Sequence, residues 1–177
     1  MSEQALAKSI PLLHWLLAAS IFFLFISSWW MLALPLPSDV FTYRELPFQL
    51  HKSLGLTLVL LVTVMTATRL IVRSKERHSH SKMHKLAEVD HLVIYVLIAS
   101  CCLSGYLSSS FSGWGTTLWW VLDLPTWAAE NDDLNILFSD IHMWSCWALL
   151  AVLTLHIAAA LYHAFTNDGM INKMFKF

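Results

Sequence analysis

The stretch DIHMWSCWALLAVLTLHIAAALYH, residues 140–163, reads as a helix facing hydrocarbon. It carries three histidines, His142, His156 and His163, at gaps of 14 and 7 residues. Ionisable side chains inside a membrane span are costly and are usually kept for function. Fourteen residues advance a helix by about 21 Å and return the azimuth to within about 40° of its start. His142 and His156 are therefore expected on one face, roughly two-thirds of a hydrocarbon core apart. One small metal ion does not bridge that distance. Two large planar cofactors, each clamped between two imidazoles, do.

The rest of the chain supports a membrane reading. Hydrophobic residues make up 57% and charged residues 13% of its 177 positions, where a soluble domain carries about 25% charged. A bilayer core of about 30 Å takes about 20 apolar residues per spanning helix. Four stretches meet that demand, roughly 10–34, 48–72, 88–110 and 137–165. The expectation is an all-α integral membrane four-helix bundle, with residues 1–177 as one domain. The first apolar run is too long for a signal-peptide core and lacks a small-residue cleavage site, so it is expected to stay as a helix.

Net charge is −1, but the charges are segregated. Lys8, Arg69, Arg73, Lys75, Arg77, Lys82, Lys85, Lys173 and Lys176 fall on one side, leaving only Arg44 and Lys52 on the other. That second side holds Asp39, Glu45, Asp123, Glu130, Asp132, Asp133 and Asp140. Lys and Arg mark the cytoplasmic face, so both termini are expected to be cytoplasmic. The stretch 35–47, with three prolines, reads as a short turn. The longer tryptophan-rich segment, about 111–136, is expected to include a short interfacial helix. The basic cluster RSKERHSHSKMHK, with His78, His80 and His84, reads as a solvated loop. Nothing in this pattern points to nucleic acid.

Six histidines lie in or at the ends of spans: His14, His51, His91, His142, His156 and His163. Alternating helix direction matches His51 with His142 near the outer side and His14 with His156 nearer the cytoplasm. His163 lies only about 10 Å beyond His156 on the same face, so depth alone leaves it as an alternative partner for His14. Haem b suits such pairs, because imidazole is a common axial ligand to haem iron and bundle interiors are common cofactor sites. No C-x-x-C-H run is present, which excludes covalent c-type haem. Cys101, Cys102 and Cys146 read as small apolar core residues. A haem-free, histidine-rich transporter is the rival reading. Proton- or metal-moving bundles usually use intramembrane carboxylates, and the acids here read as lying at span ends and in loops.

The segments SIPLLHWLLA (9–18), QLHKSLGLTLVLLVTVMTATRLIVR (49–73), HLVIYVLIASCCLSGYL (91–107), DIHMW (140–144) and LTLHIAAALYH (153–163) resemble the bacterial cytochrome b561 family. These are four-helix, di-haem proteins of the bacterial inner membrane. The resemblance covers nearly the whole chain. It implies two non-covalent haems b with bis-histidine ligation, His14 with His156 and His51 with His142. It makes His163 and His91 non-ligands, which become candidates for a quinone site. Arg69 and Lys52 are expected to serve the haem propionates, and Gly55, four residues after His51, to admit a porphyrin edge.

The implied function is electron transfer between a periplasmic one-electron donor, superoxide or a redox protein, and membrane quinone. The acidic outer loops disfavour an anion, which keeps a protein donor in view. No acid–base or nucleophilic constellation is evident, so no catalytic residue is expected. A haem b anchor subunit of a larger dehydrogenase is the second rival, and a homo-oligomer is also compatible.

Overall fold

The structure, a computed structural model, describes residues 3–34, 45–73, 82–125 and 128–166. Four long helices carry the chain: α1 (Glu3–Ala33), α2 (Glu45–Arg73), α3 (Lys82–Phe111) and α4 (Asp132–Thr166). Each holds a segment long and apolar enough to cross a membrane. α2, α3 and α4 contain their expected spans, and α1 covers all but the last residue of its own. The tightest contacts join α1 to α2 and α3 to α4, and α2 also meets α3. Residues 35–44, most of the basic cluster and the carboxyl-terminal lysines lie outside the described residues.

The core is a narrow apolar seam of Leu17, Ile21, Leu58, Met65, Ile94, Ile98, Cys101 and Leu149. Many other large apolar side chains, such as Phe22, Leu60, Leu92 and Leu155, point outward. That pattern would be unstable in water and is ordinary in lipid, where outward apolar surface carries no hydration penalty. Small polar side chains stitch the helices instead. Ser100 and Ser145 share a hydrogen bond of 2.8 Å between α3 and α4, the kind of interhelical polar contact common in membranes.

Residues 112–131 differ from expectation. Among the described residues they form no helix but a β-hairpin, β1 (Thr116–Leu118) with β2 (Leu122–Leu124). The pairing is antiparallel, Thr116 opposite Leu124 and Leu118 opposite Leu122. Glycines at 113 and 115 and the β-branched pair Thr116–Thr117 favour turn and strand over helix.

Tertiary bonds then fix the hairpin along α2. The Gln49 amide accepts from Thr117 N–H at 3.2 Å and donates to the Gly115 carbonyl at 3.4 Å. Fully buried Ser53 donates to the Thr117 carbonyl at 3.3 Å and accepts from Trp119 N–H at 2.9 Å. The Trp119 indole donates to Thr57 at 3.0 Å. Trp119 and Trp120 hold left-handed backbone, φ 50° and 57°. That conformation costs a bulky residue about 1–3 kcal/mol, and the bonds to Ser53 and Thr57 hold Trp119 in it.

α4 starts where a side-chain cap is available. The Asn131 side-chain oxygen accepts from Leu134 N–H at 2.9 Å, and Asp132 and Asp133 occupy the first turn. Both features favour a helix amino end. This start sets the register that places His142 and His156 within the bundle.

Candidate cofactor site

The bundle gathers its histidines at two levels. At the end that carries the hairpin, His51 of α2 faces His142 of α4, with ring centroids 6.4 Å apart. At the end where α1 begins and α4 finishes, His14 faces His156, again at 6.4 Å. Both expected pairs are thus brought together. They bridge α2 with α4 and α1 with α4, which are not among the closely packed helix pairs.

The hairpin-end pair is held by neutral acceptors. Ser27 donates to the Leu24 carbonyl at 3.0 Å, so its oxygen is left to accept from His51 Nδ1–H at 3.1 Å. His142 Nδ1–H donates to the Cys101 carbonyl at 2.7 Å. With Nδ1 protonated on each ring, Nε2 carries the lone pair, which on His142 has Cys146 Sγ beside it. A ring nitrogen fixed in this way is the usual condition of a metal-ligating histidine.

Two glycines give these rings room. A Cβ on Gly105 would meet His142 Nδ1 at 3.0 Å and Cε1 at 3.1 Å. Only glycine therefore lets α3 approach the ring without displacement. A Cβ on Gly55 would meet nothing within 4 Å, because that face opens into a cavity of about 590 Å³. His51, His142, Lys52 and Trp114 share its wall. Lys52 donates to the Gly115 carbonyl at 3.2 Å, which holds its ammonium at the rim. A patch of hydroxyl and amide groups adjoins it, where Ser108 bonds Asn135 at 2.9 Å and Ser139 at 2.8 Å.

Cys101 belongs to the apolar seam, and Cys102 and Cys146 pack against it, as expected of small apolar residues. Cys101, Cys102 and Cys146 all line the cavity. Cys146 Sγ lies 3.6 Å from both Cys101 Sγ and His142 Nε2.

The terminal-end pair has charged company. His156 Nδ1–H donates to the Asp90 carboxylate at 2.6 Å. Asp90 lies near the amino end of the expected span 88–110, so an acid at a span end reaches a histidine. His14 Nδ1 is buried without a hydrogen-bond partner. The guanidinium of Arg69 is close enough to act electrostatically on His14, His91 and Tyr95. His91 packs edge-on against His156 with centroids 5.2 Å apart. Its Nδ1–H donates to the Ala87 carbonyl at 2.6 Å. His163 lies beside Tyr162, ring centroids 5.7 Å apart. Arg44 lies outside the described residues, and the side chains of Arg73 and His84 are likewise not described.

Sequence reading missed Asp90, Ser27 and Gly105. Asp90 stands next to His91 inside a span, which was a usable signal. So was a glycine in the middle of an apolar helix. Ser27 gave none, because serine is common at membrane helix contacts.

Four helices long and apolar enough to span a membrane, with imidazoles paired across the looser interfaces and a cavity beside one pair, fit a class: membrane bundles built around a redox cofactor. The chain belongs to the prokaryotic cytochrome b561 family, whose pattern matches residues 7–177. It is also similar to cytochrome b561 homolog 2 of Escherichia coli (strain K12), at 28% identity over 164 residues, covering 91% of this chain and 86% of that protein. Membership makes it a multi-pass membrane protein of haem b electron transfer.

Proposed function

We propose that the whole chain is one functional unit that binds two haems b and carries single electrons across the bacterial inner membrane. His14 and His156 hold the haem near the cytoplasm, and His51 and His142 hold the haem near the periplasm. The charge segregation supports this orientation, with both termini cytoplasmic. When bound, haem supplies the one-electron couple; the chain supplies ligation, burial and orientation.

The observation that carries the reading is the separation of the rings. A coordinated imidazole nitrogen sits about 2 Å from its metal and roughly 1.1 Å from its ring centre, so two rings opposed across one metal have centres about 6.3 Å apart. Both histidine pairs stand at 6.4 Å. The unpartnered His14 Nδ1 and the open face of Gly55 support the same fit.

Around these ligands the side chains have assignable tasks. Lys52 at the cavity rim and Arg69 beside the other pair offer cations to anionic propionates. The serine and asparagine patch keeps the periplasmic end of the cavity polar. His91 Nε2, buried without a partner, and His163 are the residues placed to exchange protons with a membrane quinone, since histidine titrates in the physiological range. The electron donor on the periplasmic side is a one-electron species, superoxide or a redox protein.

Haem extraction with pyridine tests the reading directly. Two haems b per chain are expected, with one lost in His51→Ala or His142→Ala and the other in His14→Ala or His156→Ala. A single haem per wild-type chain, or a full complement in any of these variants, would overturn it. Stopped-flow mixing with superoxide and with reduced quinone then distinguishes donor from acceptor.

A further inference from the structure

The two histidine pairs differ in what holds their Nδ1 protons. At the hairpin end the acceptors are a hydroxyl and a backbone carbonyl, Ser27 and Cys101. At the terminal end His156 donates to a carboxylate at 2.6 Å. Asp90 belongs to α3 and His156 to α4, so this bond also joins two helices. Both side chains are largely enclosed, 21% exposed for His156 and 27% for Asp90. In such surroundings a charge-assisted bond is short and about twice as strong as a neutral one.

We propose that Asp90 is a positioning residue that lowers the reduction potential of the His14–His156 haem relative to the His51–His142 haem. The inference rests on the two-haem reading above. The physical chain is short. A carboxylate drawing on the Nδ1 proton leaves more electron density on Nε2, and a more basic ligand favours the higher oxidation state of the metal it binds. Hydrogen bonding to an axial ligand is one of the protein's levers on a haem potential.

The neighbouring groups set the sign and the contrast. Arg69, whose field reaches His14 and His91, acts in the opposite sense, as any cation near an iron centre favours the reduced, less positive form. Asp90 is bonded to the imidazole itself, so its effect passes through the ligand bond. Among the described residues the His51 and His142 rings bond Ser27, the Cys101 carbonyl and Cys146, none of them a carboxylate, and the neutral acceptors of their Nδ1 protons withdraw far less proton density. Two haems with like ligands then acquire unlike potentials. Electrons at equilibrium collect at the hairpin end, and transfer toward the terminal end needs a donor strong enough to fill the upper couple first.

The test is a redox titration of the holoprotein followed by visible spectroscopy, with His14→Ala marking which signal belongs to the terminal-end haem. Asp90→Asn keeps size and loses the charge. The expected result is a rise of that haem's potential alone, by about tenfold in its ferrous-to-ferric ratio, or about 59 mV for a one-electron couple. Two retained haems with unmoved potentials, or with both moved equally, would overturn the proposal.

If Asp90→Asn loses the haem, Asp90→Glu decides the matter. It keeps the carboxylate, and a retained haem at or below the wild-type potential supports the proposal, whereas a raised one overturns it. A haem count below two in the wild-type protein would instead mark failure of the functional reading on which the proposal stands.

Discussion

The two ends of this bundle each bring two imidazoles together, in two different settings. At the hairpin end, a strand pair bolted to α2 by Gln49, Ser53 and Thr57 borders a cavity of about 590 Å³ through Thr116. The histidines there lean on a serine and a backbone carbonyl. At the terminal end the imidazoles crowd together, with His91 and His14 both on His156 and with Asp90 and Arg69 beside them. A bis-imidazole site needs only two rings at the right separation. What surrounds the rings is free to differ, and on the proposed two-haem reading that freedom would give the two cofactors different potentials.

The largest test of this contrast removes a ligand. His142→Ala should abolish about half of the haem absorbance and leave the spectrum of the other centre intact, while His156→Ala should do the converse. Loss of both haems in either variant would break the picture of two independently built sites. Next comes steric blockage. Gly55→Phe fills open space beside His51, so haem occupancy at the hairpin end should fall several-fold with the terminal end unchanged. Pigment content per chain, read with each ligand variant as reference, checks this.

A smaller effect is expected from the hairpin's anchor. Ser53→Ala leaves Trp119 N–H and the Thr117 carbonyl without their partner. Losing part-buried hydrogen bonds of this kind costs about 0.5–1.5 kcal/mol each. Thermal unfolding in detergent should show the loss, and haem release should begin at the hairpin end. The smallest change is Ser27→Ala, which removes a neutral acceptor from His51. A shift below about threefold in the ferrous-to-ferric ratio is expected, following the modest worth of a neutral hydrogen bond. A shift as large as that expected for Asp90→Asn would erase the distinction between the two ends.

Much of the fold was legible in the chain, because a spanning helix announces itself by local composition. All four spans emerged from apolar length alone, and the 14-residue gap placed His142 and His156 on one helix at separate levels. The pairing of His14 with His156, rather than with His163, was not legible from depth. It depended on how α1 and α4 rotate about their axes. The segment 112–131 misled for a related reason: tryptophans mark the membrane interface but do not say which backbone will carry them. The hairpin follows from glycines and from bonds to residues more than sixty positions earlier, Gln49, Ser53 and Thr57.

Sequence by itself determined the number of spans, the segregation of charge and the levels at which imidazoles occur. These are properties of composition and helical rise, each read within one segment. Tertiary structure alone decided which rings meet, that Asp90 reaches His156, that Gly105 clears a path for His142, and that a strand pair covers one end. Those outcomes turn on helix rotation and on contacts of about 3 Å between distant parts of the chain, and no single segment encodes them.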